Sequence, residues 1–205
     1  MSGKQASRAL LLHVCCGPCA LMPVIHLRKE GFEVTAFFFN PNIHPQEEYN
    51  LRRLAMAQAA AKLELPVMWA PAYDTPDPVQ PKEWVCNLPD YREGARCKTC
   101  YQTRLNLTAK MAADHDFSGF CTSLLYSRYQ RHDDIIAAGL AACRSGSSFI
   151  YRDFRPYWQQ GIALSKEFGL YRQKWCGCAL SRAEAKIMRL KKQRHQVQVQ
   201  TWQPI

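Results

Sequence analysis

Along the chain, apolar and polar positions alternate between two regimes. An unbroken apolar run, ALLLHV at residues 9–14, follows a polar start. Without polar positions to expose, it predicts a strand buried on both faces, as in a parallel sheet. CCGPCALMPVIHLRKEG then reads as a turn and a short helix ended by Gly31. Glu33 to Asn40 reads as a second strand running into the loop PNIHP. The segment from Gln46 to Leu63 reads as a helix with Glu47, Glu48 and two arginines on its wet face, and LPVMWAP as a third strand.

The Pro-rich stretch DTPDPVQPKEW forms no element and delivers the next helix to the sheet. Residues 92–115 read as a loop carrying CKTC into a helix, FSGFCTSLLYS as a further buried strand, and HDDIIAAGLAACRSG as a helix ending at Gly146. An aromatic and basic segment from Phe149 leads to a last basic helix and the Gln-rich tail QVQVQTWQPI. No internal repeat is visible.

Strand, helix, strand, helix, strand is the opening of an α/β fold with a parallel, Rossmann-like sheet flanked by helices, of the HUP or PP-loop kind. Ligands in such sheets bind beyond the carboxyl ends of the strands, where Cys15 and its neighbours fall. Residues 1–205 are expected to form one α/β domain, with 1–8 and about 195–205 as flexible tails. The opening lacks the order of a signal peptide and no apolar run approaches the ~20 residues that span a bilayer, so a cytoplasmic protein away from membranes is expected.

The composition adds two facts: ten cysteines, and a net charge of +10 from 27 Lys+Arg against 17 Asp+Glu. The charge suits a polyanionic partner, nucleic acid ahead of a membrane surface. In a reducing compartment the cysteines read as metal or redox groups more naturally than as a disulfide framework. Cys86, Cys121 and Cys143, scattered singly, read as small buried apolar residues. CCGPC, CKTC and CGC are clusters: Cys15, Cys16 and Cys19; Cys97 and Cys100; Cys176 and Cys178.

Two metal readings stand for the first two clusters. Structural zinc is disfavoured, because the CxxC pairs lie far apart in sequence and a domain of this size folds without it; an iron–sulfur cluster also takes four thiolates. The CGC pair reads as a strained, easily reduced disulfide, as a chelate for a second metal, or as two unrelated buried thiols. Gly177 permits the tight turn that either chemistry needs.

LLLHVCCGPCA, FFFNPNIHPQEEYNLR, EGARCKTCYQTRL, TSLLYSRYQRHDDI, YRDFR and LYRQKWCGCALS, in this order, resemble the cobalamin-independent epoxyqueuosine reductases, the QueH family. The resemblance spans residues 9 to 181. It implies removal of the epoxide oxygen from epoxyqueuosine at the wobble base of tRNA anticodons, the last step in making queuosine. It also implies a [4Fe-4S] cluster held by Cys15, Cys16, Cys97 and Cys100, an additional mononuclear iron, and a redox-active pair at Cys176 and Cys178. Where the family pattern has a proline, in a stretch like LISPYQ, this chain has LYSRYQ with Arg128.

Converting an epoxide to an alkene with loss of water takes two electrons, two protons and a Lewis acid or hydrogen bond on the oxygen. Asp153 and Asp74 are the carboxylates nearest the motifs, suited to hold iron or donate a proton; His44 could protonate a leaving oxygen or simply structure its loop. An electron donor of unknown identity is required. Tyr126, Arg128, Tyr129, Arg131, Tyr151, Arg152 and Arg155 offer the aromatic and cationic mixture that holds single-stranded RNA such as an anticodon loop.

Two rival functions stand beside this one. A PP-loop-type, nucleotide-dependent tRNA modification enzyme would want a Gly-Ser-rich phosphate loop where this chain has CCGPC, whose proline removes an N–H. A zinc-stabilised RNA-binding module explains the charge and the CxxC pairs and leaves CGC idle.

Overall fold

The computed structural model describes residues 8–70, 88–143 and 147–201, with side chains through residue 191. Asp74, Cys86, the Pro-rich stretch and Gly146 lie outside the described residues. Five strands form one parallel sheet: β1 (Ala9–Val14), β2 (Glu33–Phe38), β3 (Val67–Trp69), β4 (Gly119–Thr122) and β5 (Ser148–Phe149), in the order β3-β2-β1-β4-β5. This bears out the Rossmann-like expectation. β1 lies between β2 and β4, with Leu11 opposite Thr35 and Phe120, and its three leucines are fully buried. A strand with two neighbours and helices on both faces has no wet side, hence its continuous apolar run.

Among the described residues six α-helices complete the fold: α1 (Gly17–Lys29), α2 (Gln46–Leu63), α3 (Ala95–Asp114), α4 (His132–Ala142), α5 (Trp158–Glu167) and α6 (Ala179–Thr201). α1 packs on α2 and α5, while α3 packs on α4, β1 and β4. Because strand order reverses at β1, right-handed crossovers place the first group and α3 on opposite faces.

At Gly17 the α1–α2 contact is close. A Cβ there would stand 2.1 Å from the Ala55 carbonyl oxygen, so only glycine lets the helices approach. Gly17→Ala should lower stability by about 1–3 kcal/mol, the usual cost of overpacking, measured as a shift in urea midpoint at unchanged slope. An unshifted midpoint would show that α1 can move away freely.

Four elements differ from the sequence reading, each for a local reason. Gly94, at φ +93°, turns the chain so that α3 begins at Ala95; CKTC therefore lies on the helix, with Cys97 and Cys100 one turn apart on one face. β4 ends at Thr122, whose Oγ1 accepts the Leu124 N–H at 3.2 Å and starts a 3₁₀ turn, Ser123–Tyr126, in place of more strand. On α2, Glu48 and Arg52 are buried, not wet. The α6 backbone stays helical to Thr201, into the stretch expected as a flexible tail, no Gly or Pro interrupting it.

His13 ties the centre together. Its Nε2 meets the Phe39 carbonyl at 3.1 Å, so that nitrogen carries the hydrogen, and Nδ1 accepts from the Thr122 hydroxyl at 3.0 Å. Burial, helped by the nearby Arg104 charge, lowers its pKa to about 3, and the ring is neutral.

Candidate metal and redox site

The first thiol group sits where β1 gives way to α1. Cys16 is the residue before the helix, in extended conformation, so Cys15 and Cys16 end the strand segment and Cys19 falls in the first helical turn. Their three Sγ atoms lie within 4.8 Å of one another, all buried. Cys15 and Cys16 are 3.8 Å apart, and the Cys15 N–H donates to Ser123 Oγ at 3.3 Å. The carboxamide of Gln173 closes the group: Oε1 accepts from the Cys16 thiol and Nε2 donates to Cys19 Sγ, each at 3.2 Å.

Three thiols this close share charge unequally. Contacts with the Cys16 and Cys19 thiols, with Arg52 nearby, hold the Cys15 thiol well below the usual range. Burial and then the Cys15 charge push Cys16 up, and the bonds to its two neighbours push Cys19 up. The protein's own groups thus support one thiolate where a bound cation would support three, which is the donor chemistry expected of a soft metal site. The residues present therefore fit a soft metal ion or a metal–sulfur cluster.

The second group lines a cavity of about 30 Å³, bounded by Cys97 and Cys100 of α3, Cys176 and Cys178 of the CGC loop, and Asn42, Arg96, Tyr101, Arg104 and Gln130 among others. Arg104, buried on α3, lines this cavity, and its Nε donates to the Cys100 carbonyl at 3.1 Å. Burial raises the Cys100 thiol, which Arg104 partly offsets. Cys176 and Cys178 stand as separate thiols with Sγ atoms 3.9 Å apart, well beyond the ~2.05 Å of a disulfide. Cys178 lies immediately before α6, where the Ser181 N–H donates to its Sγ at 3.3 Å. The Cys176 thiol bond, the Ser181 contacts and the Arg96 charge lower the Cys178 pKa to about 5, while donating to Cys178 raises Cys176.

A lowered thiol pKa means that the thiolate persists at neutral pH. Alkylation of Cys178 in metal-free, reduced protein should therefore rise through about pH 5 and level off by pH 7, where an ordinary thiol is still climbing toward ~8.5. Peptide mapping after iodoacetamide at a series of pH values reads this. A Cys178 profile that rises only above pH 8 would mean that α6 does not stabilise the anion.

Side chains the sequence reading placed in water hold the CGC loop. Arg52 Nη1 and Nη2 donate to the carbonyls of Cys176 and Trp175 at 3.0 and 2.9 Å, while its Nε pairs with Glu48 at 2.7 Å. Tyr171 donates to the other Glu48 oxygen at 2.5 Å, and the His44 N–H donates to the Gly177 carbonyl at 2.8 Å. Gly177 itself has φ +118°, and a Cβ would crowd Ile43 and Arg52. His44 thus serves this loop through its backbone. On the other side Arg96 pairs with Glu184 of α6 at 2.6 Å.

A family profile described as "Epoxyqueuosine reductase QueH" matches residues 10–184, a span that runs from β1 into α6 and contains every thiol of both groups. The chain belongs to that family. Among its QueH relatives, each named "Epoxyqueuosine reductase QueH", the protein of Dehalococcoides mccartyi is 34% identical over 176 residues, covering 85% of this chain and 93% of that protein. That of Thermotoga maritima is 36% identical over 182 residues (85% and 91%), and that of Acinetobacter baylyi 30% over 196 residues (93% and 88%).

Other expected QueH site residues lie away from the thiols or are already paired. Asp153 forms an ion pair with Arg155 at 2.7 Å and accepts its N–H; that partner keeps the carboxyl ionised, and it does not line the cavity. Arg152 pairs with Glu30 at 2.8 Å, and Arg131 with Asp134 at 2.5 Å. Arg128 is exposed and has no anionic partner among the described residues. Tyr126 is buried, and Tyr151 meets His132 at 3.1 Å. Cys121 is buried in β4, and Cys143 is half-buried, its thiol on the Gly139 carbonyl, as expected of isolated cysteines.

Proposed function

We propose that the chain reduces epoxyqueuosine to queuosine at the wobble base of tRNA, as its family membership and the convergence of thiols from three distant segments at one end of a parallel sheet support. The convergence carries the reading: Cys97, Cys100, Cys176 and Cys178 line one cavity, and Gln173, three residues before Cys176, bonds Cys16 and Cys19. Cys15, Cys16, Cys97 and Cys100 are the residues that would hold a [4Fe-4S] cluster, with Cys19 beside them and an additional iron nearby. When bound, the cluster supplies electrons one at a time at this end of the sheet.

The chain's own contribution is proton and electron balance. Opening the epoxide to an alkene consumes two electrons and two protons and releases water; oxidation of the Cys176 and Cys178 pair, one thiol and one thiolate, to a disulfide releases two electrons and one proton, and solvent supplies the second proton. Cys178 is the more acidic partner and Cys176 retains its proton, so the pair presents one anion and one donor. An external reductant must then return two electrons to the resulting disulfide, whose small ring makes it easy to reduce. Arg52 and His44 keep the loop in place, and Arg104 screens the accumulated negative charge. No helix among the described residues is long and apolar enough to cross a membrane, and a tRNA substrate supports a cytoplasmic enzyme.

The test is iron and sulfide analysis of anaerobically purified protein, followed by assay on an anticodon stem-loop carrying epoxyqueuosine. Iron with matching sulfide and conversion to queuosine are expected. Stoichiometric zinc without sulfide, or an unchanged epoxide, would overturn the reading.

A further inference from the structure

Outside the thiol groups, the residues around Tyr126–Gln130 form a small aromatic and cationic surface. Tyr126 is its base: its ring stacks on Trp158 with centroids 5.1 Å apart, and its hydroxyl donates to the Trp158 carbonyl at 3.0 Å. Trp158, half-buried at the start of α5, supports Tyr129 edge-on at 5.7 Å. Tyr129 is 85% exposed, yet its backbone is fixed by an N–H bond to Ser127 Oγ at 3.2 Å. A large ring held in a defined place and left in water has a free π-face to offer.

The charges at this place are also free. Arg128 and Arg172 are exposed and lack an anionic partner among the described residues, whereas Arg131, Arg152 and Arg155 are each neutralised by a carboxylate. Both positions border the site. Gln130, next to Tyr129, lines the cavity, and Gln173, next to Arg172, bonds Cys16 and Cys19. Adjacent Cα atoms are ~3.8 Å apart, so the surface begins where the cavity ends.

We infer that Tyr129 and Trp158 form a stacking platform for the unpaired nucleotide adjacent to the base being reduced, with Arg128 and Arg172 on its flanking phosphates. The inference rests on the tRNA reading above and specifies where the RNA lies. Single-stranded RNA is held by stacking its exposed base faces on aromatic rings and by cations along its backbone, whereas in a duplex those faces are hidden. This arrangement therefore selects a loop.

The experiment is fluorescence anisotropy of iron–sulfur-loaded protein with a labelled anticodon stem-loop, across a salt series, with visible absorption recorded for each variant. Tyr129→Ala should weaken binding roughly 5- to 100-fold, and Tyr129→Phe should stay near wild type because the ring remains. The Arg128→Ala/Arg172→Ala pair should lower the salt slope by about 0.7 for each phosphate that is no longer neutralised. Absorption should not change in any of them. If wild type binds and converts the stem-loop while Tyr129→Ala binds as well as it does, the platform is wrong and the function stands. Loss of absorption in Tyr129→Ala would assign the ring to structure and also overturn the platform. If loaded wild type neither binds nor converts the stem-loop, the tRNA reading falls and the platform with it.

Discussion

Arg52→Met is expected to destabilise the protein by about 3–5 kcal/mol, the cost of breaking a buried ion pair from one side. Arg52 and Glu48 are 1% and 4% exposed and meet at 2.7 Å, so the variant leaves a carboxylate buried with Tyr171 as its one side-chain partner among the described residues. The Trp175 and Cys176 carbonyls lose their donors at the same time, and the CGC loop loses its anchor to α2. Urea unfolding measures the first effect, and loss of the Cys178 alkylation plateau measures the second. Adding Glu48→Gln to Arg52→Met should recover part of the stability, because the stranded charge is gone, without restoring the loop. A single-variant cost below about 1 kcal/mol, the range of exposed ion pairs, would mean that water reaches the pair.

The second large effect separates the roles of the thiols. Replacing Cys15, Cys16, Cys97 or Cys100 singly with Ala should abolish the broad visible absorption and reduce turnover to below about 0.1% of wild type, as removing one member of a catalytic unit commonly does. Joint replacement of Cys176 and Cys178 with Ser should reduce turnover as far and leave most of the absorption, since the cluster would keep its four ligands. Cys143→Ala, on an isolated half-buried thiol, serves as the unaffected control. Turnover retained in the Ser double variant would return CGC to a structural role. Full absorption in Cys97→Ala would remove α3 from the ligand set.

What could be read from the sequence and what could not divide along the range of the contacts. ALLLHV announced a central strand because burial on both faces leaves a local mark, and CCGPC announced a site because thiols crowd there in five positions. Glu48 and Arg52 gave the opposite impression. An i,i+4 Glu–Arg pair looks the same on a wet helix and a buried one, and what buries this pair is Tyr171 and the Trp175–Cys176 backbone, over 120 residues away. Cys97 and Cys100 were expected in a loop because REG looks like one; Gly94 is in fact the turn into the helix. Gln173 was missed: nothing near a polar amide three residues before Cys176 marks a bond to Cys16 and Cys19, more than 150 residues away. The four arginines near Tyr126 and Tyr151 were alike in sequence and differ only in which found a carboxylate.

The bond between Cys16 and Gln173 joins residues 157 positions apart, and this has a consequence for the order of events during synthesis. A ribosome adding roughly 5–20 residues per second needs about 8–30 s to travel from one to the other. Through that interval the nascent chain carries Cys15, Cys16 and Cys19 without the Gln173 carboxamide or the Arg52-anchored CGC loop. β4, paired with β1, and CKTC arrive midway, and CGC arrives last. The mature thiol environment is therefore a property of the finished chain, and metal delivered before residue 173 has emerged meets a different set of donors from the one that delivery after release would meet.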